Sequence, residues 1–161
     1  MNFLSEWLER RCSDLNNKYL DPPGDLYTCN ASGLHKVNFK ADLLLITRAG
    51  FEIKNAEIIR DLSPSPDLFQ TYLQEWKDKL DYEEWWPLYE KRFLKELEWD
   101  TRVKALREVY KRLIVGRNVI LICFCKDHRY CHRKLVGDFF SKYGVEAKEL
   151  NPVEVEQVKL F

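Results

Sequence analysis

The sequence predicts an α/β fold in three layers: a mostly parallel, Rossmann-like sheet flanked by helices, with a further helix added at the N-terminus. Three observations predict it. The runs 41–47 (ADLLLIT) and 119–125 (VILICFC) have the near-continuous apolar character of strands covered on both faces. Between such runs stand longer segments whose apolar residues recur at helical spacing. Strands that alternate with helices belong to parallel sheets joined by crossovers.

Taken in order, Leu4, Leu8, Cys12, Leu15 and Tyr19 form a helical stripe, and Asp21-Pro-Pro-Gly24 stops that helix. Residues 1–24 are therefore read as a helical extension packed on a single domain over 25–161. Residues 26–30 (LYTCN) read as the first strand, 31–33 as its loop, and 41–47 as the second strand, ended by Arg48-Ala-Gly50. Ser65 is placed to cap a helix with Pro66 at its first position, and Leu68, Phe69, Tyr72, Leu73 and Trp76 line one face. Asp81 to Glu84 has capping-box spacing before a Trp-rich helix that Pro87 should restart or kink. Asp100 reads as the cap of the next helix, with Val103, Leu106, Tyr110 and Leu113 inward and Gly116 past its end. Strand 119–125 follows, then a helix through Leu135, Val136, Phe139, Phe140 and Tyr143 that Gly144 stops, and 145–150 alternates as a last strand. In such sheets ligands bind beyond the carboxyl ends of the strands. Three ends, Cys29-Asn30, Thr47-Arg48 and Cys125-Lys126, should converge.

The composition narrows the function. The chain has 161 residues, 45% hydrophobic and 32% charged, with 26 Lys+Arg against 26 Asp+Glu, which describes a folded domain without the basic excess of a duplex-wrapping protein. Any nucleic-acid role would rest on a local patch. The five cysteines are odd in number and three are clustered, unlike a secreted disulfide framework. The first residues carry charges and no apolar run, so the expectation is no leader, no membrane span and a cytoplasmic location.

The segment 123–133, CFCKDHRYCHR, holds three of the five cysteines and two of the three histidines. Cys123 and Cys125 share one strand face. Cys131 and His132 open the next helix, where free backbone N–H groups and the helix dipole favour negative charge and ionise a thiol more readily. Lys126, Arg129, Arg133 and Lys134 surround them against a single Asp127, the composition of a phosphate or carboxylate site. A strand cysteine such as Cys123 also serves commonly as a small hydrophobe. The same residues admit a zinc cage from Cys123, Cys125, Cys131 and either His128 or His132, although their spacing is not that of a zinc knuckle. The interval from Cys123 to Arg129 matches cysteine phosphatase loops, but residues 124–128 lack the glycine such loops need.

Several segments also resemble, in order, the domain-of-unknown-function 488 family: TCNAS at 28–32, LLITRAG at 44–50, RDLSPSPDLF at 60–69, YEEWWPLYEKRFL at 82–94, and the strand end LICFCKD leading to the triplet Cys131-His132-Arg133. The resemblance runs from about residue 26 to 150, and the N-terminal helix stands outside it. Two positions depart from the family pattern, Cys125 and the stretch SPSPD. The resemblance implies an α/β fold and a site built on Asn30, Arg48 and the Cys131-His132-Arg133 triplet, and it implies no activity.

Three functional classes follow, the plainest being a structural or interaction protein that uses its Trp-rich helices as a contact surface. In the first, a cytoplasmic enzyme acts on an anionic metabolite such as a nucleotide or modified nucleotide. Arg48 and Arg133 clamp the phosphate-bearing ligand with Asn30, Lys126 and Arg129 around it, Cys131 is the nucleophile or thiolate stabiliser, and His132 carries the proton. No cofactor is required, zinc being the alternative for the cysteines. In the second class the chain is a non-catalytic binding module for nucleotide or nucleic acid. Trp76, Trp85, Trp86 and Tyr89 would then offer stacking surfaces. Core packing on amphipathic helices is the more ordinary use of such residues. Segment 61–90, entered through DLSPSPD, could also serve as a lid over the site.

Overall fold

A computed structural model describes residues 22–154; the helix expected from Leu4 to Tyr19 lies outside the described residues. Strands β1 (Leu26–Asn30), β2 (Asp42–Leu45), β3 (Ala56–Ile58), β4 (Val119–Cys123) and β5 (Lys148–Glu149) form one sheet in the order β3-β2-β4-β1-β5. Every neighbouring pair is parallel. The central β4 is paired on both sides, from Leu26↔Val119 to Asn30↔Cys123 and from Asp42↔Val119 to Leu45↔Ile122. All five of its residues are buried, as its unbroken apolar run requires.

Four α-helices are described: α1 (Pro66–Thr71), α2 (Tyr82–Glu96), α3 (Asp100–Ile114) and α4 (His132–Phe139). They cover one face, where Val103, Leu106, Tyr110, Val136 and Phe140 pack against Leu26, Leu44, Val119 and Leu121. The other face, built on Cys29, Leu45, Ile120 and Ile122, is covered by the 3-10 turn Ala31–Lys36 and by Val37, Ile53 and Phe124 from loops. The layers are thus those of a three-layer α/β fold. No helix among the described residues is long and apolar enough to cross a membrane.

The local signals act as their chemistry dictates. Ser65 Oγ accepts from Leu68 N at 3.2 Å with Pro66 in the first turn, and Asp81 and Glu84 form a capping box. After α1 the chain widens into a π-turn, Tyr72–Trp76, closed by Lys77 N donating to Tyr72 O at 2.7 Å. Gly144, at φ 78°, stops the segment after α4 from the left-handed region.

Four expectations are corrected. Pro87 lies inside α2 without breaking it. Trp99, not Asp100, occupies the cap of α3; Asp100 is the first helical residue, where its charge meets the positive end of the helix dipole. The strands read as 41–47, 119–125 and 145–150 are shorter; β2 and β4 stop at Leu45 and Cys123, and Thr47 and Cys125 beyond them turn to line the cavity described below. β3 went unread: three half-exposed residues carry no period, and the strand is held by pairing with β2 and by Arg112, which bonds Asp42 at 3.1 Å and Glu57 at 2.7 Å.

Candidate functional site

After β2 the chain turns toward β3, and after β4 it turns the opposite way, toward β5. The crevice between the ends of β2 and β4 is therefore the point where ligands enter such sheets. Thr47-Arg48 comes from one side and Cys123 to His132 from the other. Asn30 Nδ2 and Arg133 both donate to the Cys125 carbonyl, at 2.6 and 2.8 Å, and fold the end of β4 back over β1. Asp127 accepts from Arg129 N at 3.0 Å and shapes the turn His128–Tyr130, after which extended Cys131 caps α4.

This path brings three sulfurs together. Cys123 Sγ and Cys131 Sγ are 3.0 Å apart, and Cys123, Cys125 and Cys131 all lie within 4.8 Å of one another. Cys123 and Cys131 are buried and Cys125 is exposed. Arg133, wholly buried, points its guanidinium at them: one terminal nitrogen is 3.1 Å from Cys123 Sγ and 3.6 Å from Cys131 Sγ. Its other edge grips Glu149 through Nε at 3.0 Å and Nη2 at 3.1 Å, the bidentate geometry that fixes a guanidinium most firmly. Burial opposes ionisation of Cys123. Hydrogen bonds from Cys125 and Cys131, together with the charge of Arg133, outweigh it and hold this thiol well below the ordinary range. Burial pushes Cys131 well up, and its neighbouring sulfurs add to the shift. Cys125, beside the Cys123 sulfur, is pushed up to about 12. The guanidinium thus favours a charge on Cys123 over one on Cys125 or Cys131.

His132 is buried, and its Nε2 meets the Ile46 carbonyl. A carbonyl only accepts, so Nε2 carries the hydrogen and Nδ1 presents its lone pair, 3.9 Å from Cys131 Sγ. Burial lowers the imidazole pKa below its ordinary 6.5. The unfolded chain then binds a proton that the folded chain refuses, and stability falls as pH drops below 6.5 toward the folded value. The His132→Gln variant, able to donate to the same carbonyl, should lose this component. Its urea stability should fall less steeply over that range, by up to about 1.4 kcal/mol per pH unit.

Above the sulfurs lies a cavity of about 70 Å³. Cys125, Cys131 and His132 floor it, Tyr72, Trp85, Tyr89 and Tyr130 wall it, and Arg48 stands at its edge. Arg48 Nε donates to the Pro64 carbonyl at 2.7 Å, which orients the guanidinium. Burial raises the Tyr89 hydroxyl well above its usual range and Tyr72 to about 12, so the walls stay neutral.

Of the residues expected from the sequence, Arg48, Cys125, Cys131 and His132 meet at this cavity, with Cys123 and Arg133 directly behind. Arg133 was expected to meet a ligand anion, and its partners here are Glu149 and two sulfurs. Asn30 is committed to the fold: its carbonyl oxygen caps the following turn through Ser32 N at 2.9 Å, and its amide holds Cys125. Arg129 is engaged by Asp127 at 2.8–3.0 Å, and Lys126 is exposed. His128 Nδ1 accepts from Val153 N at 3.4 Å. The three sulfurs could hold a metal ion, and a thiolate set of this kind suits zinc. The site residues that sequence reasoning missed are Glu149 and Tyr130, while Tyr72 and Tyr89 were read only as part of a helix face, a stacking surface or a lid; Glu149 had only its place on the alternating last strand to signal it.

No curated protein and no solved structure matched the chain. A family model described as the active DUF488-N3 subclade matches residues 26–144, from β1 through α4 and including every residue of the thiol cavity. The chain belongs to the DUF488 family.

Proposed function

We propose that the protein is an enzyme that uses the Cys131 sulfur as a nucleophile on a small anionic metabolite admitted at the end of β4. The observation that carries this reading is the buried Arg133 guanidinium, held by Glu149 and turned onto the Cys123–Cys131 pair. The buried cation favours the charged form on Cys123, which places a thiolate base beside the protonated Cys131, and removal of that proton gives the nucleophilic form. As Cys131 Sγ attacks an electrophilic centre, its proton passes to Cys123 Sγ, 3.0 Å away, and His132 Nδ1 is the second acceptor in reach. The leaving group carries away the bonding pair. Arg48 at the cavity edge offsets the anionic charge of the substrate. The aromatic walls exclude water and present flat, neutral surfaces. A cavity of about 70 Å³ takes a reacting group of a few atoms, so a larger substrate keeps its bulk outside. The description of the matching subclade as active accords with a catalytic reading.

Cys29 supplies an internal control: burial raises its thiol to about 11, and raises that of Cys131 as well. Its sulfur, however, donates to the Asn30 carbonyl and Asn151, and has no second sulfur among the described residues to take its proton. Brief treatment with iodoacetamide at neutral pH, followed by peptide mass mapping, should label Cys131 at least about tenfold faster than Cys29. Equal rates would defeat the proposal. The mutual approach of the three sulfurs favours a second reading, a zinc site on Cys123, Cys125 and Cys131. One zinc per chain in protein purified without chelator would select it, and a metal content near zero would remove it.

A further inference from the structure

A second cavity adjoins the thiol site. It measures about 200 Å³ and lies beyond the carboxyl ends of β2 and β3, lined by Thr47, Arg48, Gly50, Phe51, Glu52 and Arg60. Thr47 and Arg48 line both cavities, so the two meet at the Arg48 side chain. Three features of this outer cavity have no account in the fold. Arg48 is held through Nε alone, which leaves its terminal nitrogens without a protein partner among the described residues. Arg60 is exposed and its guanidinium likewise has no protein partner among them. Phe51 is 77% exposed at the same rim, its ring edge-on to Phe124 at 5.1 Å.

The exposure of Phe51 is built in by the backbone. Gly50 has φ 119°, a region L side chains rarely adopt, and a Cβ there would lie 2.2 Å from the Phe124 ring. The loop is thereby pressed onto Phe124 and the next side chain is held out over the cavity. Two guanidinium groups against the single carboxylate of Glu52 give the cavity a positive surplus, and guanidinium forks match phosphate and carboxylate oxygens. A flat apolar ring beside them is a stacking surface for a planar ligand.

We infer that this outer cavity binds the body of the substrate: an anionic group on Arg48 and Arg60 and a flat ring over Phe51, with a small substituent reaching past Arg48 to the sulfurs. The ligand class is a ring-bearing phosphate of the nucleoside monophosphate kind. The inference rests on the thiol reading for which end reacts, but not for where the ligand binds.

The four common nucleoside monophosphates, their nucleosides and inorganic phosphate serve as probes, titrated into the full chain by calorimetry. At least one monophosphate should bind about tenfold tighter than its nucleoside. Arg60→Ala should weaken that monophosphate and inorganic phosphate alike, by about tenfold. Phe51→Ala should weaken the monophosphate by about fivefold or more and leave inorganic phosphate unchanged. Both side chains are exposed, so both variants fold. Monophosphates that bind no better than nucleosides, or variants that bind as the wild type does, overturn the inference. In the wild-type chain, Cys131 labelled no faster than Cys29 while a monophosphate still binds would remove the catalytic reading and leave this one standing.

Discussion

Arg133→Met should lower the folding stability by about 3–5 kcal/mol, measured by urea denaturation against the wild-type chain. The side chain is wholly buried and its counter-ion Glu149 is nearly so, with 12% of that side chain exposed. Removing the guanidinium strands a carboxylate and a polarised sulfur cluster in a low-dielectric interior, and that uncompensated charge dominates the loss. Methionine fills much of the volume, so packing contributes little. The double variant Arg133→Met with Glu149→Leu removes both charges and should recover most of the stability, the signature of a pair whose members are costly mainly when alone. A single variant that unfolds within about 1 kcal/mol of wild type would show that Glu149 finds water instead.

The second large effect is expected far from the sulfurs. Glu96 is buried in α2 and accepts from Ser65 N and Ser65 Oγ, each at 2.7 Å, and from Arg102 at 3.5 Å. Arg102 in turn donates to the carbonyls of Asp61, at 2.9 Å, and Ser63. This network fixes the segment whose Pro64 carbonyl holds Arg48. Glu96→Ala leaves Arg102 as a buried unpaired cation and should cost about 3–5 kcal/mol. It should also release Arg48, weakening the best-binding monophosphate while the alkylation rate of Cys131 stays near wild type. Unchanged affinity would mean that Arg48 keeps its orientation without this support.

Features encoded within a few residues were legible. Ser65 with Pro66 and Asp81 with Glu84 announce helix starts because a cap is a contact between near neighbours. The density of thiols and cations between Cys123 and Arg133 marked the site for the same reason. What stayed hidden comes from elsewhere in the chain. Glu149 meets Arg133 across sixteen positions, and nothing in a two-residue strand advertises the pairing. The aromatic wall was hidden by ambiguity, since Trp85 and Tyr89 show the helical spacing of core residues and are core residues, with one surface left to the cavity. The surplus of cations misled for Arg129, whose charge is spent on Asp127 two positions away.

The outermost strand beside β1 has a consequence for the chemistry. β5 is only two residues long and pairs with β1 at Tyr27↔Lys148 and Thr28↔Glu149, steadied by Leu150 N on the Thr28 carbonyl at 2.8 Å. A margin that short is where a sheet breathes first. The counter-charge of the buried guanidinium therefore sits on an edge rung held largely by side chains, since Glu149 also accepts from Thr28 Oγ1 at 2.6 Å and from Asn151 N at 3.1 Å. Loss of that rung would free Arg133 from its carboxylate and leave the whole cation to the sulfurs. A substitution that loosens the last strand should therefore change the acidity of the thiol cluster without touching a sulfur.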